Sequence, residues 1–248
     1  MATNIAAQGR TAAGEFVLEL NARTVYRALL SAIGVLIVMS LIAKMVMLAY
    51  PASQYGAVNE LCKRFYFDFE NNVPAWFSTL GLFVSSGLFG LVAYFQRKRA
   101  GIGFWRWLGL CFLFIGLAID EATFIHEILI VSLRDKLNLS GIFYFAWVIP
   151  GALFVLFIVS VYLPFIWKLP RNLRNGFLLA GATYVGGALG MELIGGYLAE
   201  REGFDAASYV LVMTIEETLE MFGIATLIFV LLRYLGWLCP QSMRIHLH

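Results

Sequence analysis

The chain has 248 residues, 60% of them hydrophobic and 14% charged, with a net charge of +2 and a mean hydropathy of +0.78. That balance excludes an ordinary soluble globular domain and places the chain among integral membrane proteins. Near-neutral charge, with no basic block interleaved with exposed aromatics, excludes a nucleic-acid partner. Cys62, Cys111 and Cys239 have no CxxC spacing, so neither a disulfide framework nor a thiolate metal site is indicated.

Residues 1–25 are small and polar and lack the apolar run of a secretory signal. They read as a cytoplasmic N-terminal segment in which Val17, Leu18, Leu20 and Val25 fall on one side of a short interfacial helix. Residues 26–237 read as an all-α transmembrane domain and 238–248 as a cytoplasmic tail. Runs of about 20 apolar residues predict six spans. They are Tyr26–Tyr50, Pro74–Gln96, Trp105–Leu133, Ile142–Trp167, Gly176–Glu200 and Ala207–Trp237.

The basic residues orient this six-helix bundle. Twelve of the 18 flank one side: Arg10, Arg23, Arg27, Arg97, Lys98, Arg99, Arg106, Lys168, Arg171, Arg174, Arg233 and Arg244. The other side receives Lys63, Arg64, Arg134, Lys136 and Arg201, and Lys44 lies inside the first span. The excess marks the cytoplasmic side, so both termini are inside. Trp105, Trp107, Trp167, Tyr234 and Trp237 near span ends suit the interfacial aromatic belt.

Inside these apolar stretches stand Asp120, Glu121, His126, Glu127, Glu192, Glu216, Glu217 and Glu220. An ionised side chain at mid-bilayer costs roughly 2.5–3.5 kcal/mol, so such groups mark ion, proton or substrate sites. With the orientation above, the third, fifth and sixth spans bring them to the outer half of the bilayer. On a continuous third helix Asp120 and Glu127 are about 20° apart, with Thr123 and His126 on the adjoining arc. Glu216, Glu217 and Glu220 share an arc of about 100°. Ala182, Gly186 and Gly190 form a small-xxx-small ridge, thinned further by Gly187, Gly195 and Gly196, that would bring Glu192 close to its neighbours.

A purely structural role accounts poorly for so many acids, because interhelical polar bonds in membranes average only about 0.6 kcal/mol. Ionised together, they need a bound cation or shared protons. Oxygen-rich donors with one imidazole suit Fe, Mn or Zn, and inward-facing Asp, Glu and His side chains build dinuclear sites in helix bundles. The candidate metal ligands are Asp120, His126, Glu127, Glu192, Glu217 and Glu220. Glu121 and Glu216 are further ligands or the general bases of a catalytic reaction. Lys44 either neutralises the cluster or snorkels outward. The stretch before the second span contains Asp68, Glu70 and Asn72, which read as a solvated helix cap or as a lid over the acids.

The ordered set Asp68-x-Glu70-x-Asn72-x-Pro74-x-Trp76-Phe77-Ser78, Asp120-Glu121-x4-His126-Glu127 and Glu216-Glu217-x-x-Glu220-Met221-x-Gly223 resembles a functionally uncharacterised family of bacterial multi-pass membrane proteins. The resemblance covers the second through sixth spans and implies a bacterial inner-membrane location. Glu-Glu intramembrane proteases, zinc hydrolases and desaturases need more membrane-depth histidines than this chain has, and a serine triad lacks its Gly-x-Ser-x-Gly elbow.

The leading expectation is a membrane metalloprotein with a mono- or dinuclear Fe, Mn or Zn site, an oxidoreductase or hydrolase for a lipid-soluble or periplasmic small molecule or ion. A cation- or proton-coupled transporter using the same acids is the alternative. A non-catalytic assembly or sensor subunit is the third reading.

Overall fold

A computed structural model describes residues 16–19, 21–50, 54–98, 103–238 and 244–247. The helices are α1 (Ala22–Ala49), α2 (Gly56–Lys63), α3 (Val73–Lys98), α4 (Phe104–Thr123), α5 (Ile128–Leu137), α6 (Val148–Ile166), α7 (Arg171–Val185), α8 (Glu192–Glu202) and α9 (Ala207–Leu238). A π-helical segment, Gly186–Met191, joins α7 to α8. Among the described residues five helices are long and apolar enough to cross a membrane, with α7 through α8 as one, or six if the bent pair α4 and α5 is one span.

Among the described residues the only strands are β1 (Phe16–Glu19) and β2 (Arg244–Leu247), which pair antiparallel. Val17 and Leu18, expected on an interfacial helix, are therefore extended, whereas Val25 lies in the first turn of α1. Leu20 falls outside the described residues.

The long helix α9 is the axis of the bundle, with α1, α3, α7, the π segment and α8 packed around it. Its buried positions run along nearly its whole length, from Tyr209 to Leu238. Where α9 nears its C-terminal end, an aromatic core closes the bundle: Trp107 packs against Phe89, Phe165, Phe177 and Tyr234. Trp107 is fully buried and Tyr234 nearly so. Both were expected in the interfacial belt; their rings fill the core instead, while Trp105, Trp167 and Trp237 are the exposed members.

Helix α6 stands apart. Only Val148 and Phe165 of it are buried, and its principal neighbours are α7 and the π segment. Most of its surface is left to lipid, as its uniformly apolar sequence suits.

The third predicted span is not one helix. Phe124 takes a left-handed conformation (φ 54°), its N–H bonds to the Asp120 carbonyl, and α5 leaves at 83° to α4. No residue of α5 is buried. The alignment expected for Asp120 and Glu127, with Thr123 and His126 on the adjoining arc, does not exist, because the chain turns after Thr123.

Candidate functional site

The carboxyl-bearing residues gather at the end of the bundle away from β1 and β2. There the end of α4 and the turn after it, the start of α6, the π segment, α8 and the first turns of α9 enclose a cavity of about 640 Å³. Glu70, Asp120, Glu121, Glu127, Glu192, Glu216, Glu217 and Glu220 line it together with His126, and among the described residues no lysine or arginine does. All eight candidates from the transmembrane sequence thus meet one space, joined by Glu70 from the loop above.

Asp120 makes the turn. Its Oδ1 accepts from the His126 backbone N–H at 3.0 Å, and its Oδ2 accepts from the His126 ring Nδ1–H at 2.7 Å. One carboxylate therefore replaces helical bonds lost at the break and fixes the imidazole's tautomer. In the neutral ring this leaves the lone pair on Nε2. The ring is also held by Trp147, 4.6 Å away between centroids.

Glu192 accepts from Trp147 Nε1–H at 2.7 Å, and its carboxyl stands within hydrogen-bond reach of Glu216. Glu70 and Glu127 form a second carboxyl pair across the loop and the turn. Glu217 lies between these pairs and feels the charges of Glu121, Glu192, Asp68 and Glu127. Glu220, one turn deeper on α9, faces Glu217, Glu121 and Glu192. Among the described residues, no three His, Cys, Asp or Glu side chains close on a common metal-binding point.

The close helix approach comes from a different glycine register than expected. A Cβ on Gly186 or Gly190 would meet nothing within 4 Å, so the Ala182, Gly186 and Gly190 ridge is not the contact. A Cβ on Gly187 would come 2.8 Å from the Glu216 carbonyl oxygen and 3.0 Å from Glu220 Cγ. Gly223 of α9 similarly has room only for hydrogen beside the Tyr184 backbone, 2.8 Å away. The π segment shifts the helix register at this point, as π bulges do, and so presents Gly187 to α9 and Glu192 to the cavity.

The loop before α3 roofs the site. Tyr66 and Phe67 are buried in it, and the Phe67 N–H donates to Ser40 Oγ at 3.1 Å. Asn72 is a cap, but a buried one: its Oδ1 accepts from the Ala75 N–H at 2.8 Å, and its Nδ2 donates to the carbonyls of Tyr66 at 2.8 Å and Phe69. Asn72 is neither solvated nor part of a lid surface, because its amide is spent holding the loop. Glu70 sits on the cavity rim, where burial and then Glu127 hold its carboxyl well above the usual range. Asp68 accepts from Tyr209 Oη–H at 2.5 Å. Burial pushes it up to about 6, although the Tyr209 bond and Lys44 pull the other way.

Lys44 does not line the cavity. Its Nζ, from a buried position on α1, reaches the exposed Asp205 at 2.7 Å and lies over the Tyr66 ring. It turns away from the chamber towards Asp205 while staying buried, and among the described residues no lysine or arginine lines the chamber. The residues missed from sequence are Trp147, Tyr184 and Tyr209. Each lies in or beside an apolar run where an aromatic reads as lipid-facing or core. A polar ring atom facing an acid in another span leaves no local signal.

The model of a family described as a domain of unknown function (DUF8692) matches residues 29–234, and the chain belongs to that family. No curated protein and no solved structure matches the chain.

Proposed function

We propose that this DUF8692 member is a six-span bacterial inner-membrane protein whose outer-half chamber binds a divalent cation of the Fe, Mn or Zn kind. The cation would enter by displacing the protons that the carboxyl pairs share. The observation that carries this reading is one cavity lined by eight carboxyl groups and an imidazole with no lysine or arginine. Such a set needs positive charge or protons to coexist. Among the described residues the side chains form no closed ligand shell, so binding would have to draw them inward and displace whatever protons they hold. His126 Nε2, Glu121, Glu217 and Glu220 are the groups free to converge, with Asp120 orienting the imidazole from behind. Glu127, Glu192 and Glu216 would complete the shell or take protons in a redox or hydrolytic reaction.

The antiparallel pairing of β1 with β2 supports an even number of crossings and thus the six-span reading. Arg97, Lys98, Arg106, Arg171, Arg174 and Arg233 cluster at that same end of their helices, which supports a cytoplasmic assignment for it.

The test is metal analysis of protein purified in detergent, stripped with chelator and reloaded, alongside Glu217→Gln and His126→Ala. The expected wild-type content is about one equivalent or more, sharply reduced in both variants. Content below about a tenth of an equivalent ends the metal reading. A second reading, proton-coupled transport, is favoured by the same carboxyl pairs. It requires a polar route to the inner face, and a proteoliposome flux abolished by Glu220→Gln would establish it in place of the first.

A further inference from the structure

A second cavity, of about 430 Å³, continues from the chamber toward the opposite face of the bundle. The two share Leu113, Leu117, Phe154, Val155, Tyr184 and Val185 as lining, so the two spaces adjoin. The second is a slot between α4 and α6, and its lining includes no charged residue. Its far end is shut, because Tyr162 Oη would lie 2.3 Å from a Cβ on Gly109 and the Phe165 ring abuts Trp107. Along α6 the lining runs from Phe154 to Ile166, about 18 Å at the helical rise. Its side borders α6, whose Phe154, Val159 and Leu163 are exposed at bilayer depth, so molecules dissolved in the membrane reach it sideways.

We propose that the slot takes the single apolar tail of a membrane amphiphile whose head, uncharged or cationic and rich in N–H or O–H donors, stands in the carboxyl-lined chamber. The tail requirement follows from an apolar, blind slot buried in hydrocarbon, which water fills poorly and an alkyl or isoprenoid chain fills well. The head requirement follows from the acids: eight carboxyl groups with no guanidinium or ammonium beside them repel a phosphate or carboxylate head and accept from a hydroxyl or amine. This deepens the substrate class of the proposed site; it depends on the acidity of the chamber and not on a metal.

Gly181 gives a clean way to block the slot, since it lines the slot and a Cβ there meets nothing within 4 Å. The test uses full-length protein in phosphatidylcholine vesicles with three probes: a long-chain alcohol, amine and phosphate, each bearing a diazirine at the tail end. The alcohol and amine are expected to form adducts on Leu110–Leu117 and Ile158–Ile166, and the phosphate about tenfold fewer. Gly181→Leu, or Ile158→Phe should the first variant fail to fold, lowers the alcohol and amine adducts about tenfold. Equal labelling by all three heads, labelling undiminished by either slot variant, or adducts confined to lipid-exposed faces would each overturn the proposal. Metal content is read on the same samples. Head-selective slot labelling in protein that never takes up metal supports this inference while ending the metal reading, so the two fail separately.

Discussion

Asp120 and His126, six positions apart, are joined twice: the Asp120 carboxylate holds the His126 backbone N–H at 3.0 Å and its ring Nδ1–H at 2.7 Å. The same carboxylate thus ends α4 and aims an imidazole. In a continuous helix these two residues would lie on different faces. The break makes them partners and lets Asp120 orient the imidazole.

Asp120→Asn separates the two jobs. The amide oxygen can still accept the backbone N–H, while the amide N–H₂ faces Nδ1 and favours the tautomer with the proton on Nε2, which has no lone pair to give a metal. Folding is expected to survive, and metal affinity to fall about 10–100-fold, the usual cost of losing such an orienting group. Titration against a chelating dye measures the affinity, and nitrogen chemical shifts of the His126 ring report the tautomer. Unchanged affinity would show that His126 is not a ligand.

Gly187→Ala puts a methyl 2.8 Å from the Glu216 carbonyl oxygen, a backbone atom that cannot swing away. Separation of the π segment from α9 is expected to cost about 1–3 kcal/mol, seen as a lower melting temperature in detergent. Gly186→Ala, with nothing within 4 Å of the new methyl, is the control and should be neutral or slightly stabilising through helix propensity. Equal effects at the two positions would contradict the packing described here.

Much of this was legible in the sequence. Apolar runs located the helices because hydrocarbon admits little else, and the acids stood out against that background. Three things were not legible. The turn at Ala122 to Ile125 contains neither glycine nor proline, and it arises from the Asp120 side chain competing for backbone and ring N–H groups, which periodicity does not register. Small residues in α7 and its extension announced a close contact, but the π segment shifts the register, so the contact falls on Gly187 rather than on Gly186 and Gly190. Trp107 and Tyr234 sit near helix ends like belt residues, and only the packing of α4 against α3 and the proximity of α9 reveal them as core.

Asp68 makes stability depend on pH in a definite direction. Its folded value of about 6 lies above the ordinary 3.8, so the fold prefers the protonated form. That contribution is complete below about pH 3.8 and is lost as the pH rises through about 6. Asp68→Asn should remove this part of the profile when melting temperature is followed between those limits. Tyr209→Phe and Lys44→Met each remove an influence that lowers Asp68, so both should move the loss to higher pH. A shift to lower pH in either variant would contradict the assignment. Lys44→Met should also leave metal content unchanged, since Lys44 does not line the chamber.

The proposed binding exchanges protons held among the chamber's carboxyl groups for a cation. Its most direct measurement is the number of protons released when Mn²⁺ or Zn²⁺ is titrated into metal-free protein at neutral pH, in weakly buffered detergent solution with a pH indicator. Saturable binding that releases about one proton or more per metal ion, and that is lost in Glu217→Gln, is the expected result. Metal binding with no proton release, or no binding to the stripped wild-type protein, would contradict it.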